Sequence, residues 1–373
     1  MKQSTFQLKP AIHYGINAAN VISTISYERA LIITDPFMKS SAMLQQLLGQ
    51  LRDQESYHIF SDIYPDPDTA LVSAGVKAFL SWMPDLVIAF GGGSTIDAAK
   101  SILYCTGSMK HEQKKMTFIA IPTTSGTGSE VTNFSVITMD GKKIPIVDDT
   151  LLPDIAIIDA AFTESVPSTV TADTGVDVLT HAIEAYVSTR ASNYSDALAE
   201  KAVSLVFSYL PRAVKDGKDK EARMSMHDAS CIAGIAFTNA SLGINHSMAH
   251  TLGGAFHIPH GRANAMLLPL ILEYNSSDPE TAKRYSRLAR LIGFSPATVE
   301  EGVQLLLLAV RTLLKNTGIP GTLSELKVDH GAFKEKMAVL CQTALADKCT
   351  ETNPVQPTIG DLEQLFYRVY GNH

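Results

Sequence analysis

The chain has 373 residues, which is enough for two domains of ordinary size and for a large hydrophobic core. It is 45% hydrophobic and 18% charged, with a formal net charge of −7, and this composition disfavours a nucleic-acid or membrane-surface partner. The apolar runs are far shorter than the roughly 20 residues that span a bilayer, so no membrane partner is expected. Four widely spaced cysteines and an N-terminus without a signal-like apolar core predict a cytoplasmic protein with reduced thiols.

The first 160 residues alternate short apolar runs with amphipathic stretches. Strands are predicted at Ala30–Thr34, Leu86–Phe90, Thr117–Ile121 and Ile155–Ile158. Helices are predicted between them, for example at Asp68–Trp82 and Thr95–Tyr104. Continuous apolar strands are typical of a parallel sheet buried on both faces, and the alternation indicates βαβ units. Residues 1–163 are therefore predicted to form a doubly wound α/β domain.

Helical periodicity dominates the remainder of the chain, where strand-like runs disappear. Helices are predicted at Ala172–Val187, Asp196–Leu210, Ala222–Phe237, Glu280–Leu291 and Thr298–Leu314. This pattern predicts an all-α C-terminal domain over residues 164–373. From Lys327 onward the sequence indicates helix and loop and nothing more specific.

Two glycine-rich loops follow predicted strands. Gly91–Ser94 lies between a strand and a helix, where backbone N–H groups and the helix dipole suit a pyrophosphate. It departs from G-x-G-x-x-G because Ile96 stands where the last glycine belongs, so a tight turn that needs glycine is the alternative. The second loop, Pro122–Glu130, offers hydroxyls but lacks the ending of a P-loop. Two such loops after neighbouring strands predict nucleotide binding.

Asp177 and His181 lie four residues apart, on one face of a predicted helix, where they could share a metal ion. Considered alone, this pair is better explained as part of a solvated polar face. A metal site is favoured, however, by four further histidines that lie within fifteen residues of one another in an apolar segment. They are His246 and His250, on a short helix expected to end at Gly253-Gly254, and then His257 and His260.

Buried imidazoles need partners, and one carboxylate with up to three neutral imidazoles suits Zn²⁺ or Fe²⁺ better than Mg²⁺ or Ca²⁺. The HExxH glutamate of many metalloproteases is missing from the sequence, which disfavours that class of enzyme. Spacing alone leaves open which three of the four clustered histidines bind the metal.

Four segments together resemble the iron-containing (group III) alcohol dehydrogenase family, from about residue 5 to residue 290. They are FGGGSTIDAAK (Phe90–Lys100), PTTSGTGSEVT (Pro122–Thr132), TGVDVLTHAIEAYVS (Thr174–Ser188) and NHSMAHTLGG with IPHGRANA. The resemblance implies that family's fold, an α/β dinucleotide-binding domain followed by an all-α metal-binding domain. Within that family, the sequence resembles the propanol and ethanol dehydrogenases of bacterial microcompartments.

The resemblance also implies the site residues. The implied metal ligands are Asp177, His181, His246 and His260, with Fe²⁺ as the ion and Zn²⁺ as the alternative. His250 is implied as a catalytic residue that does not bind the metal and acts in proton transfer or in holding nicotinamide and substrate. His257 receives no role.

For the cofactor, the resemblance assigns Gly92, Gly93 and Ser94 to the pyrophosphate of NAD(H). The residues that it places around the nicotinamide half and its ribose are Asp97, Thr123, Thr124, Ser129 and Lys143. Asp35 ends the first strand, where the adenosine ribose lies in the family. A carboxylate there binds a 2′-hydroxyl and repels a 2′-phosphate, so NAD(H) is predicted over NADP(H).

The implied activity is hydride transfer between NAD(H) and a small primary alcohol or aldehyde, with the enzyme acting as an aldehyde reductase. Phe134, Phe256 and Arg262 are assigned to the substrate. Arg262 also fits a solvated or capping role at a helix start; if it faces the substrate, it favours a sulfo- or carboxy-aldehyde. The resemblance further implies a homodimer or larger homo-oligomer, in the cytoplasm or inside a bacterial microcompartment.

Three other functions share parts of this sequence pattern. A glycerol-dehydrogenase-like polyol enzyme would share the fold and use Zn²⁺. A dehydroquinate-synthase-like enzyme would need clustered lysines and arginines in the helical half, which the sequence lacks. A non-catalytic NAD-binding subunit would leave the metal ligands without a purpose, although all four are present.

Overall fold

The structure is a computed structural model that describes residues 5–107, 116–139 and 142–371. The chain forms two compact units. One is Gln7–Ser165, and the other is Met1–Phe6 together with Val166–His373. Within the described ranges, none of the helices is both long and apolar enough to span a bilayer.

In the residues that the structure describes, the first unit contains eight strands. They are β1 (Ala11–Tyr14), β2 (Ala30–Thr34), β3 (Tyr57–Phe60), β4 (Leu86–Gly91), β5 (Thr117–Pro122), β6 (Phe134–Met139), β7 (Lys142–Val147) and β8 (Ile155–Ile158). Six of them form a parallel sheet in the order β1-β8-β5-β4-β2-β3. The other two, β6 and β7, form an antiparallel hairpin. This confirms the predicted α/β class and adds β1, β3 and the hairpin to the four predicted strands.

The described part of this unit also contains four α-helices: α1 (Pro36–Lys39), α2 (Ala42–Leu48), α3 (Thr69–Trp82) and α4 (Gly93–Gly107). Residues of α2 pack with Ile32 and Ile88 in one hydrophobic cluster. Residues of α3 and α4 pack with Leu31 and Ile33 in another cluster, because successive strand residues point to opposite faces of the sheet.

The order of the strands reverses beside β2. The chain leaves β2 for the edge strand β3, and it leaves β4 in the opposite direction for β5. The carboxyl ends of β2 and β4, which are hydrogen-bonded neighbours, therefore flank a topological switch point. Open α/β sheets bind their ligands at such a point. Asp35 and the first glycine loop follow these two strands.

The second unit is helical throughout its described part. Its helices are α5 (Ser168–Val187), α6 (Asn193–Lys215), α7 (Lys220–Ala240), α8 (Ile244–Phe256), α9 (His260–Asn275), α10 (Pro279–Leu291), α11 (Val299–Thr317), α12 (His330–Ala346) and α13 (Ile359–Tyr370). Helix α5 is buried along nearly all of Thr171–Val187. The face that carries Asp177 and His181 therefore lies inside the unit, and its interpretation as a solvated polar face is wrong.

Candidate functional site

Asp177, His181, His246 and His260 converge within the helical unit, although they come from three helices. Asp177 and His181 lie on α5, His246 on α8, and His260 is the first residue of α9. The Oδ1 atom of Asp177 lies 3.7 Å from Nε2 of His246 and 3.7 Å from Nε2 of His260. One ligand atom from each of the four residues lies within 4.8 Å of the others. A single divalent ion would fit this donor set, with one carboxylate and three imidazoles.

The burial of this cluster suits a metal ion. His181 and His246 are 5% and 1% exposed, and burial lowers the pKa of His181 to about 3 and that of His246 well below its ordinary value. Both imidazoles are therefore neutral at pH 7, which is the form that binds a metal. Nε2 of His246 and Nδ1 of His181 are buried without a hydrogen-bond partner in the described part of the chain. A metal ion would satisfy a buried nitrogen of this kind.

Glu184, one turn after His181 on α5, orients His246. Its Oε2 atom is hydrogen-bonded to Nδ1 of His246, and its Oε1 atom accepts the backbone N–H of Asn245 at 2.8 Å. A carboxylate that holds Nδ1–H leaves Nε2 of the imidazole as the metal-binding nitrogen. Burial raises the pKa of Glu184 to about 8, and a divalent cation nearby would lower it again. Glu184 was not among the predicted site residues, although it lies three residues after His181 on the same helix.

Asn264 was also missed, and it links two of the predicted ligands. Its side-chain N–H group donates to Oδ1 of Asp177 at 2.6 Å, and the same nitrogen lies 3.1 Å from Nε2 of His260. Its Oδ1 atom accepts from Nδ2 of Asn245 at 2.9 Å. Asn264 therefore ties α5, α8 and α9 together at the cluster. The signal that could have found it is its position four residues after His260 on the same helix.

The other two clustered histidines lie in different surroundings. His250 is partly exposed, its ring is stacked on that of His260 at 5.3 Å, and its Nδ1 atom lies 2.8 Å from Oδ2 of Asp347. Helix α8 runs through Gly253-Gly254 to Phe256, so the prediction that these glycines end it is wrong. The left-handed residue that follows the helix is His257, with φ +55°. His257 is exposed and has no place in the cluster.

The two glycine loops are neighbours in the first unit, because β4 and β5 pair and place Gly91 opposite Pro122. A Cβ atom on Gly93 would lie 2.7 Å from Cγ2 of Thr127, so the loops pack too closely for a side chain there. On Gly92, the nearest contact of a Cβ atom would be Oγ1 of Thr124, at an ordinary 3.5 Å. Packing within the chain does not explain this glycine, whereas a phosphate approaching the N-terminus of α4 would.

The other predicted cofactor residues lie around these loops. Ser129 donates to Oδ1 of Asp97 at 3.1 Å, and the backbone N–H of Thr123 donates to the carbonyl of Gly91 at 3.0 Å. Burial raises the pKa of Asp97. Lys143, on β7, forms an ion pair of 2.7 Å with Asp66. The structure thus joins Asp97 to the second loop, and the contacts of these residues with nicotinamide remain a prediction.

Arg262 has a partner within the protein. Its guanidinium donates two hydrogen bonds to the Asp173 carboxylate, at 3.1 and 2.9 Å, and so links α9 to α5. The interpretation of Arg262 as a solvated or capping residue is therefore wrong, and a free cation for an anionic substrate tail is not favoured.

Phe134 and Phe256 are both partly buried. The carbonyl of Phe134 accepts from Nζ of Lys100 at 2.9 Å, and the ring of Phe256 lies 6.2 Å from that of Phe333. Their assignment to the substrate remains a prediction.

A doubly wound unit with paired glycine loops and a helical unit with a buried Asp–His₃ cluster define the class of metal- and nicotinamide-dependent oxidoreductases. Two family profiles match the chain: "Iron-containing alcohol dehydrogenase" over residues 10–160, and "Fe-containing alcohol dehydrogenase family, C-terminal" over residues 171–370. The chain belongs to the iron-containing alcohol dehydrogenase family. It is an enzyme that interconverts alcohols and aldehydes with NAD(H).

Similar proteins agree with this conclusion over nearly the whole chain. A 1-propanol dehydrogenase, PduQ, of Citrobacter freundii is 44% identical over 366 residues, which are 97% of this chain and 98% of the relative. A solved 1,3-propanediol oxidoreductase has a TM-score of 0.91 at 30% identity, with 99% of this chain and 100% of that chain covered. A sulfoacetaldehyde reductase from Bifidobacterium kashiwanohense, solved with NAD⁺, has a TM-score of 0.88 at 31% identity, with 100% of both chains covered.

Replacing Asp35 with asparagine should relax the predicted preference for NAD(H) over NADP(H). Oδ1 of Asp35 accepts the N–H of Met38 at 2.9 Å and caps α1, and asparagine keeps such a cap while removing the charge. We expect kcat/KM with NADPH to rise at least ~10-fold relative to NADH, because a 2′-phosphate no longer meets a carboxylate. Asp53→Asn, at another N-cap of this unit, is the matched control. An unchanged ratio in Asp35→Asn would remove Asp35 from the ribose site.

Proposed function

We propose that this enzyme reduces a short, uncharged aldehyde to its primary alcohol with NADH, and that Asp177, His181, His246 and His260 hold one divalent ion, Fe²⁺. The observation that carries the proposal is the convergence of one carboxylate and three imidazoles in one cluster, in which Nδ1 of His181 and Nε2 of His246 are buried without a hydrogen-bond partner among the described residues. The similarity to a 1-propanol dehydrogenase supports a short, uncharged substrate. Zn²⁺ is the alternative ion for this donor set.

The proposal assigns the binding of the dinucleotide to one unit and the binding of the metal and the substrate to the other. Residues 1–163 bind the dinucleotide, with Gly92, Gly93 and the N-terminus of α4 at the pyrophosphate. Residues 164–373 bind the metal and the substrate. Asp35, at the carboxyl end of β2, binds the adenosine ribose beside the topological switch point.

When bound, the cation would supply Lewis acidity for the substrate oxygen, and NAD(H) would supply or accept the hydride. The chain's residues prepare this chemistry. Glu184 holds His246 in the metal-binding tautomer, and Asn264 fixes Asp177 against His260. His250, which is partly exposed beside His260, exchanges the proton of the substrate oxygen with solvent.

The same proposal extends to the setting of the enzyme. We propose a cytoplasmic location, including the interior of a bacterial microcompartment, and a homodimeric or larger homo-oligomeric state. The four widely spaced cysteines and the similarity to PduQ enzymes support the location. Gel filtration with light scattering measures the oligomeric state directly.

The substrate is tested by NADH oxidation with enzyme reconstituted with Fe²⁺ or Zn²⁺. We expect kcat/KM for propanal to exceed that for sulfoacetaldehyde at least ~10-fold, because Asp173 already neutralises Arg262. The oxidation of glycerol and 1-propanol by NAD⁺, measured on the same preparation, separates a polyol enzyme from a primary-alcohol enzyme. A preference for the anionic aldehyde or for glycerol would overturn the proposed substrate. A metal-loaded enzyme inactive on every alcohol and aldehyde would overturn the function.

A further inference from the structure

The C-terminal segment, which carries no recognisable motif, contributes a carboxylate beside His250. Oδ2 of Asp347 lies 2.8 Å from Nδ1 of His250, although the two residues are 97 positions apart. Asp347 follows α12 and begins a short 3₁₀ helix, Lys348–Thr352. Both side chains are partly buried. Neither residue is among the four that could hold the predicted metal ion.

The two oxygens of Asp347 have different partners. Oδ1 accepts the backbone N–H of Cys349 at 2.8 Å, as the N-cap of the 3₁₀ helix, and this leaves Oδ2 directed at His250. Burial raises the pKa of Asp347, but the hydrogen bonds from His250 and Cys349 outweigh it and hold that pKa at about 2. The side chain is therefore an ionised acceptor at neutral pH.

The segment that carries Asp347 is fastened to the start of α8. The hydroxyl of Thr350 donates to Oγ of Ser247 at 2.8 Å, and the hydroxyl of Thr352 donates to the carbonyl of Leu242 at 2.6 Å. These contacts flank His246 in sequence. The carboxylate is consequently held rigidly relative to the helix on which His250 lies, as a group that orients a histidine must be.

We propose that Asp347 is a positioning residue that fixes the ring of His250 and its tautomer for proton transfer. An ionised carboxylate accepts Nδ1–H, so the lone pair of the neutral imidazole is on Nε2, the nitrogen free to take up a proton. The same hydrogen bond sets the plane of the ring, which lies within 14° of the His260 ring. This inference rests on the proposed role of His250 in the proposed function.

A role of Asp347 as a helix cap alone would need only its Oδ1 atom. It would not explain why Oδ2 is directed at His250. A second metal ion is the other competing explanation, because His250, Asp347 and Cys349 also bring ligand atoms within 4.8 Å of one another. The hydrogen-bonded pair accounts for the geometry without an ion.

The test is Asp347→Asn in the full-length, metal-loaded enzyme. The amide oxygen can keep the cap on Cys349, and the amide N–H group then faces Nδ1 of His250 and forces the proton to Nε2. We expect kcat for aldehyde reduction to fall ~10²–10⁴-fold, with KM for the aldehyde nearly unchanged and the metal content still one ion per chain. The kcat of His250→Ala should fall by a similar factor. The kcat of the double variant should be no lower than that of His250→Ala, because the pair acts as a unit.

Two further variants complete the experiment. Asp329→Asn makes the same exchange at the N-cap of α12, at the opposite end of that helix from Asp347, and should keep the wild-type kcat. Asp347→Glu keeps the charge and should be faster than Asp347→Asn. Thermal unfolding of each variant shows that it is folded.

The outcomes separate the two proposals. If His250→Ala is slow and Asp347→Asn is not, the inference about Asp347 fails and the role of His250 stands. If metal-loaded His250→Ala has the wild-type kcat, the proposed proton role of His250 fails. A second ion in the wild type that is lost in Asp347→Asn would replace the positioning role by a metal site.

Discussion

Asp177→Asn is expected to abolish metal binding and activity together. Asp177 is the only anionic member of the candidate ligand set, and its Oδ1 atom lies 3.7 Å from the Nε2 atoms of both His246 and His260. Asparagine keeps the shape of the side chain but leaves the cation only neutral ligands inside a buried site. Loss of the Lewis acid removes several kcal/mol of transition-state stabilisation, so activity should fall at least ~10³-fold.

The measurement is the iron or zinc content per chain, taken with NADH oxidation by propanal. Asp173→Asn is the matched control, one turn earlier on α5, where the carboxylate pairs with Arg262 and lies outside the cluster. The control should keep its metal. A fully loaded and active Asp177→Asn enzyme would show that this carboxylate is not a ligand.

Gly261→Ala is expected to destabilise the helical unit and displace His260. A Cβ atom at Gly261 would lie 2.3 Å from the carbonyl oxygen of Asp173 and 2.7 Å from its carbonyl carbon. Both atoms belong to the backbone of α5, so no side chain can rotate away and α9 must move. Overpacking of this kind costs about 1–3 kcal/mol or more. In a domain of this size, that cost corresponds to a fall in Tm of about 2–12 °C.

His260 directly precedes this glycine, so the same shift should reduce the metal content. Circular dichroism during heating and metal analysis of one preparation measure both effects. Gly254→Ala is the control, because a Cβ atom there meets nothing within 4 Å. It should leave Tm unchanged or raise it, since alanine is favoured over glycine within a helix by about 0.5–1 kcal/mol. If Gly261→Ala melts like the wild type, the close approach of α9 to α5 is wrong.

The fold class was predictable because its central strands are continuous apolar runs. Four of the six sheet strands were found in this way, at nearly the bounds that the structure gives. The two edge strands, Ala11–Tyr14 and Tyr57–Phe60, are four residues long and mix polar with apolar side chains, so they carry no such signal. In the hairpin, β7 begins with two lysines and contains a proline, which obscures its pairing with β6.

The candidate ligands could be named from spacing and resemblance, but their supporting residues could not. Glu184 is 62 positions from His246, and Asp177 is 87 positions from Asn264. Each acts through a partner on another helix, so its function is set by tertiary packing and leaves no local pattern. Arg262 shows the converse, because a lone arginine near a ligand suggests substrate binding until Asp173 is seen beside it.

All four candidate ligands belong to the helical unit and bridge α5, α8 and α9. A cation held there joins three segments that the unfolded chain leaves far apart, so it acts as a reversible cross-link. Each tenfold rise in free metal above the dissociation constant would add about 1.4 kcal/mol to the free energy of unfolding. The resistance of this unit to unfolding would therefore depend on the supply of metal in its surroundings as well as on its sequence.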